Sequence, residues 1–131
     1  METSSPNSGN SKIQIAIGWI VSLLPALLLC FSASMKLSHS PDVGPMMKQL
    51  GWDFSQLQDL AILELTCVVV YLIPWTSVTG AILMTGYMGG AMATHLRVHE
   101  PPVVQMIVPI VAWLGLWLRE PRLRAILPWR G

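Results

Sequence analysis

Glu64 is a carboxylate inside an otherwise apolar run, Ala61 to Val98, in a chain of 131 residues. An ionised carboxylate facing hydrocarbon is costly, so such a group turns inward and finds a partner. Lys36, His95 and Arg97 lie at the ends of neighbouring apolar runs and are the available partners. Three roles suit Glu64. It can form a structural ion pair with Lys36 or Arg97, it can hold a proton or bind a ligand, or it can reach the interface by snorkelling. Helical spacing sets Glu64, Cys67 or Val68, and Tyr71 on one stripe, and Tyr87, Ala91 and His95 on another. If Glu64 binds a ligand, Lys36, Glu64, Tyr71, Tyr87, His95 and Arg97 are the candidate ligand-binding set. No residue is assigned a catalytic role.

Other chemistry is poorly supported. Cys30 and Cys67 form no C-x-x-C pair, and buried, inert thiols are the expectation. A disulfide between them needs Cα atoms within about 7 Å, which spacing alone leaves open. His95 and His99 are four apart, but Pro101 follows closely and the helix is expected to end between them, so no metal site is expected. Met84, Met88 and Met92 read as adaptable apolar packing. No phosphate-cradling or dinucleotide motif is present and no cofactor is expected.

These groups must be positioned by long apolar elements. Hydrophobic residues make up 53% of the chain and charged residues 11%, against about 25% charged in ordinary soluble domains. The net charge of +1 excludes a basic stripe for nucleic acid. A membrane-spanning helix needs roughly 20 apolar residues, and four segments approach this: 13–35, 57–74, 78–96 and 103–118. Proline at 101 or 102 suits the first turn of the last one. The expected fold is all-α, a membrane four-helix bundle, with the bilayer as its principal partner. Residues 1–12 read as a disordered polar N-terminus and 119–131 as a basic C-terminal tail beside anionic headgroups. The first apolar run exceeds a signal-peptide core and is expected to stay in place.

Between spans one and two, Met46, Met47, Leu50 and Trp52 are interspersed with Lys48 and Gln49, which predicts a short interfacial helix. Within span three, Gly86, Gly89, Gly90 and Ala93 form small ridges that let backbones approach. They are expected to pack inside the bundle, with a homo-oligomer contact as the alternative. Lys12, Arg119, Arg122, Arg124 and Arg130 fall on the terminal side, and Lys36, Lys48 and Arg97 on the other. That balance puts both termini in the cytoplasm of a multi-pass cell-membrane protein.

The order of LGW at 50–52, the ExxC and YLIP patterns, TGYxGGAxATHxR and LRxPRLRxxxP resembles the DoxX-like family of small four-span membrane proteins. The resemblance covers most of the chain beyond Lys36. It implies an accessory or anchor subunit of a membrane assembly, because the family takes its name from a membrane subunit of a thiosulfate:quinone oxidoreductase. Some relatives are linked to thiol and oxidative-stress systems, and more distant ones look like chaperones or cargo receptors. With no cysteine pair here, redox chemistry would belong to a membrane partner protein. The alternative the resemblance implies is a component of a redox system that binds a quinone or other small lipophile as a ligand at the Glu64 polar cluster. A small transporter is the weakest reading, since no inverted repeat or broken helix is visible.

Overall fold

The computed structural model describes residues 8–39 and 41–126. Among the described residues six helices occur in order: α1 (Ser8–Leu37), α2 (Val43–Gln49), α3 (Phe54–Leu72), α4 (Ser77–Arg97), α5 (Val103–Arg119) and α6 (Pro121–Ile126). The fold is all-α, as the apolar periodicity predicts. The four long helices pack in a ring, with α1 against α3 and α5, and α4 against α3 and α5. The limits of α3, α4 and α5 fall within a few residues of the apolar segments 57–74, 78–96 and 103–118. The N-terminal expectation changes more: helix begins at Ser8, inside the segment read as disordered, while residues 1–7 lie outside the described part. Of the tail, Pro121–Ile126 is helical and Leu123 is buried against the core, whereas Trp129 and Arg130 lie outside the described residues.

Local sequence accounts for the boundaries. Gln56 reaches back so that its Oε1 accepts from the Asp53 backbone N–H at 3.0 Å, closing the start of α3. At the other end, Pro74 has no N–H for the Val70 carbonyl, and the Thr76 hydroxyl donates to that carbonyl instead at 2.8 Å. The turn is thereby closed in a few residues, with Trp75 95% exposed at its tip.

The helices approach most closely at three glycines that the sequence reading did not single out. A Cβ on Gly18 would sit 2.5 Å from the Arg119 backbone nitrogen, and one on Gly115 would sit 2.5 Å from the Ser22 hydroxyl. A Cβ on Gly80 would collide with the backbone of Val70 and Tyr71. These contacts fix α1 against α5 and α4 against α3 at the terminal end. By contrast, a Cβ on Gly86, Gly89 or Gly90 would meet nothing within 4 Å, and Ala93 is exposed. The ridges expected to pack inside the bundle are not where its helices meet. Small residues favour close approach only where a partner helix actually crosses, and here the crossings fall at the opposite end of α4.

Two helices, Ser11–Leu37 and Phe54–Leu72, are long and apolar enough to cross a membrane. Val103–Arg119 is apolar but has 17 residues, and α4 is diluted by Gly and Thr. The outward faces are apolar on all four long helices. Ile20, Leu24, Leu27 and Phe31 on α1, Ile62 and Val69 on α3, Ile82 on α4, and Ile107 and Ile110 on α5 are all exposed.

Candidate functional site

Where the helices separate, at the end away from the termini, they enclose a chamber of about 900 Å³. α1, α3, α4 and α5 supply its walls. α2 contributes Val43, Met46 and Met47, and Leu50 and Trp52 follow from the segment after it. The expected interfacial helix is thus present, but it packs inward. Val43, Met47, Leu50 and Leu57 form a small second core with Met35 and Trp52 against it. Burying the Met and Val side chains of so short a helix stabilises it far more than its own hydrogen bonds can.

The chamber is mostly apolar, with a few polar groups gathered at one end. Lys36 Nζ lies 2.7 Å from Glu64 Oε2, and the two residues are 8% and 1% exposed. Lys36 also donates to the Ser32 hydroxyl at 2.7 Å, one turn earlier on α1. This is the one ion pair among the described residues. Tyr87 lines the same space. His95 also lines it, with Nδ1 2.8 Å from the Ala91 carbonyl and Nε2 3.2 Å from Gln105 Nε2. A neutral imidazole satisfies both contacts if Nδ1 carries the proton and Gln105 donates, which leaves the Gln105 carbonyl oxygen as an acceptor.

Four of the six expected ligand-binding residues therefore converge: Lys36, Glu64, Tyr87 and His95. Tyr71 and Arg97 do not line the chamber. The Tyr71 hydroxyl donates to the Ala112 carbonyl at 2.6 Å, deep in the core and toward the terminal end. It shares a helical stripe with Glu64, but two turns carry it past the chamber floor. Arg97 turns outward from the end of α4 and donates to the Leu50 carbonyl at 3.0 Å. It clamps the segment after α2 and leaves Glu64 to Lys36. Gly51 makes room for that clamp: its φ is +90°, and a Cβ there would fall 2.5 Å from Arg97 Nη2.

Ser32, Gln105 and Thr94 were missed as lining residues. Ser32 was legible, since it stands four before Lys36 on one helical face. Gln105 was legible as the one polar residue of α5 before its terminal Arg119. Gly86 and Gly90 contribute lining and are exposed, as are Phe31, Leu63 and Val104, so the chamber reaches the surface between the helices. Both cysteines are free, and Cys67 lies in the chamber wall. Among the described residues no cluster of His, Cys, Asp or Glu is arranged to hold a metal ion. His99 lies beyond the end of α4, at φ 61°.

A family model described as the DoxX-like family matches residues 20–118. The chain belongs to the DoxX-like family. The match runs from within α1 to Leu118 in α5 and so contains every residue that lines the chamber. No curated protein and no solved structure matched. As a DoxX-like chain with apolar, outward-facing helices, this is a membrane protein, and Lys36–Glu64 is its buried charge pair.

Proposed function

We propose that this DoxX-like protein crosses the bilayer four times and holds a small lipophile in the chamber beside Lys36, Glu64, Tyr87 and His95. The observation that carries this reading is the chamber itself. Its volume lies within the range of about 300–1,000 Å³ typical of small-molecule sites, and it has the usual apolar wall with few convergent polar groups. A ligand with a carbonyl or hydroxyl head on an apolar body, such as a quinone, matches that distribution. The head would meet Tyr87, His95 and Gln105, and the body would lie among Leu and Met side chains. Lateral opening between exposed apolar residues suits loading from the hydrocarbon phase.

The four-span reading is supported by the outward faces. Each long helix carries exposed Ile, Leu or Val, and a contiguous apolar surface of this extent marks contact with membrane. With Lys12, Arg119, Arg122 and Arg124 at one end, the termini face the cytoplasm. In this reading the protein is an accessory subunit that offers a lipophile to a membrane partner, which supplies any electron transfer.

Two measurements test it. Single cysteines at Trp75 and at His99, in a background lacking Cys30 and Cys67, should label from opposite sides of intact cells. Native mass spectrometry of the purified protein should retain one lipophilic adduct, and Ala91→Phe, which projects a ring into the chamber, should release it. Labelling of both positions from one side would reject the topology, and an adduct unaffected by Ala91→Phe would reject the site.

A further inference from the structure

The terminal end of the bundle carries a second polar centre, unconnected with the chamber. Arg119 is 7% exposed, and its guanidinium lies between the Trp19 ring, 4.2 Å away, and the Tyr71 ring, 4.8 Å away. Its Nη2 donates to the Tyr71 carbonyl at 2.7 Å, but its Nε is buried without an acceptor. Arg124, on α6, repeats the pattern: it donates to the Gln14 side-chain carbonyl, and its Nε is likewise buried and unmatched. Gln14 and Trp19 both belong to the first half of α1, so the two guanidiniums contact the same helix. Glu120 is the nearby carboxylate in sequence and acts on Arg119 only from beyond ion-pair distance; its Oε1 accepts from the Arg122 backbone N–H at 3.3 Å. Among the described residues no carboxylate lies within ion-pair distance of either arginine.

A guanidinium stays charged and has five donors in a planar fork. Burying one without an anion is strongly unfavourable, and ring faces recover only part of that loss. We infer that Arg119 and Arg124 form a binding site for a phosphate-bearing anion, with the fork geometry that suits phosphate oxygens. Arg119 closes α5, and in the four-span placement that is the depth of the headgroups. A phospholipid head and a soluble phosphate would both present this chemistry.

The test uses full-length protein, delipidated in a maltoside detergent that carries no phosphate. Phosphatidylglycerol is added in one arm, and sodium phosphate against sodium chloride at equal ionic strength in another. Thermal stability and retained adducts in native mass spectra are read for wild type, Arg119→Gln, Arg124→Gln and Lys12→Gln. Lys12 is an exposed cation at the same end and controls for general attraction. Stabilisation by phosphatidylglycerol that weakens about tenfold or more in Arg124→Gln, but holds in Lys12→Gln, supports the site with a lipid source. The same pattern with inorganic phosphate supports it with a soluble source. Should Arg119→Gln fail to fold, Arg124→Gln alone decides. No effect in either arm, or equal loss in Lys12→Gln, overturns the inference.

Discussion

Replacing Glu64 by Gln removes the anion against which Lys36 is buried, while keeping the shape of the side chain. Lys36 Nζ has two acceptors, Glu64 Oε2 and the Ser32 hydroxyl, both at 2.7 Å. After the change it keeps Ser32 and an uncharged amide. Breaking a buried pair from one side costs roughly 3–5 kcal/mol, because the remaining charge is left uncompensated. With Ser32 still in place and Lys36 8% exposed, the lower end applies, about 3 kcal/mol. For a chain of this length about 4 °C of melting temperature accompanies each kcal/mol, so a fall of roughly 12 °C is expected. Removing both charges, as Lys36→Met with Glu64→Met, restores stability to within about 1 kcal/mol of wild type or above it, since the desolvation of both groups disappears together. Intrinsic tryptophan fluorescence during heating in detergent reads all three proteins. If Glu64→Gln melts with wild type, Lys36 is not a buried cation that needs this carboxylate. If the double variant is no more stable than the single one, the penalty does not come from an unpaired charge, and the reasoning fails.

The glycines separate packing from exposure. Gly80→Ala drives a methyl group into the Tyr71 backbone and should destabilise by about 1–3 kcal/mol, whereas Gly86→Ala meets nothing and should be neutral or stabilising by up to about 1 kcal/mol. Both are measured as melting shifts in the same detergent. Gly51→Ala combines a positive φ with a clash against Arg97, and a loss of about 1–3 kcal/mol is expected. Arg97→Gln in the same background should reduce that loss, which a double-mutant cycle would detect. Tyr71→Phe removes the 2.6 Å hydrogen bond to Ala112 and should cost about 1 kcal/mol without altering ligand binding, because Tyr71 stands outside the chamber.

Much of the architecture could be read from hydrophobicity, because long apolar runs broken by Pro, Gly and short polar turns leave few alternatives. The inward turn of Glu64 followed from desolvation alone, but its partner did not. Lys36 and Arg97 stand at similar depths, and only the contact between α1 and α3 selects Lys36. Tyr71 shows how far a helical stripe can be trusted: it shares the Glu64 face, yet the chamber ends before reaching it. The small ridges of α4 were visible, but whether a partner crosses there depends on the splay of the bundle, which single-helix patterns do not encode. Gly18, opposite Arg119, and Ser22, opposite Gly115, carry the same small-residue signal across the α1–α5 contact but stand inside a long apolar run that gives no hint of which face is crossed. The buried Arg119 was read as part of a surface tail because its ring neighbours, Trp19 and Tyr71, come from distant parts of the sequence.

The chamber's role as a lipophile site is tested most directly by equilibrium binding of a radiolabelled short-chain quinone to the protein in lipid nanodiscs. Wild type and Ala91→Phe are compared at matched folding. The account predicts saturable binding approaching one equivalent for wild type, and only linear partitioning into lipid for the filled variant. Identical linear uptake by both would contradict it, leaving the Lys36–Glu64 pair as a structural lock between α1 and α3.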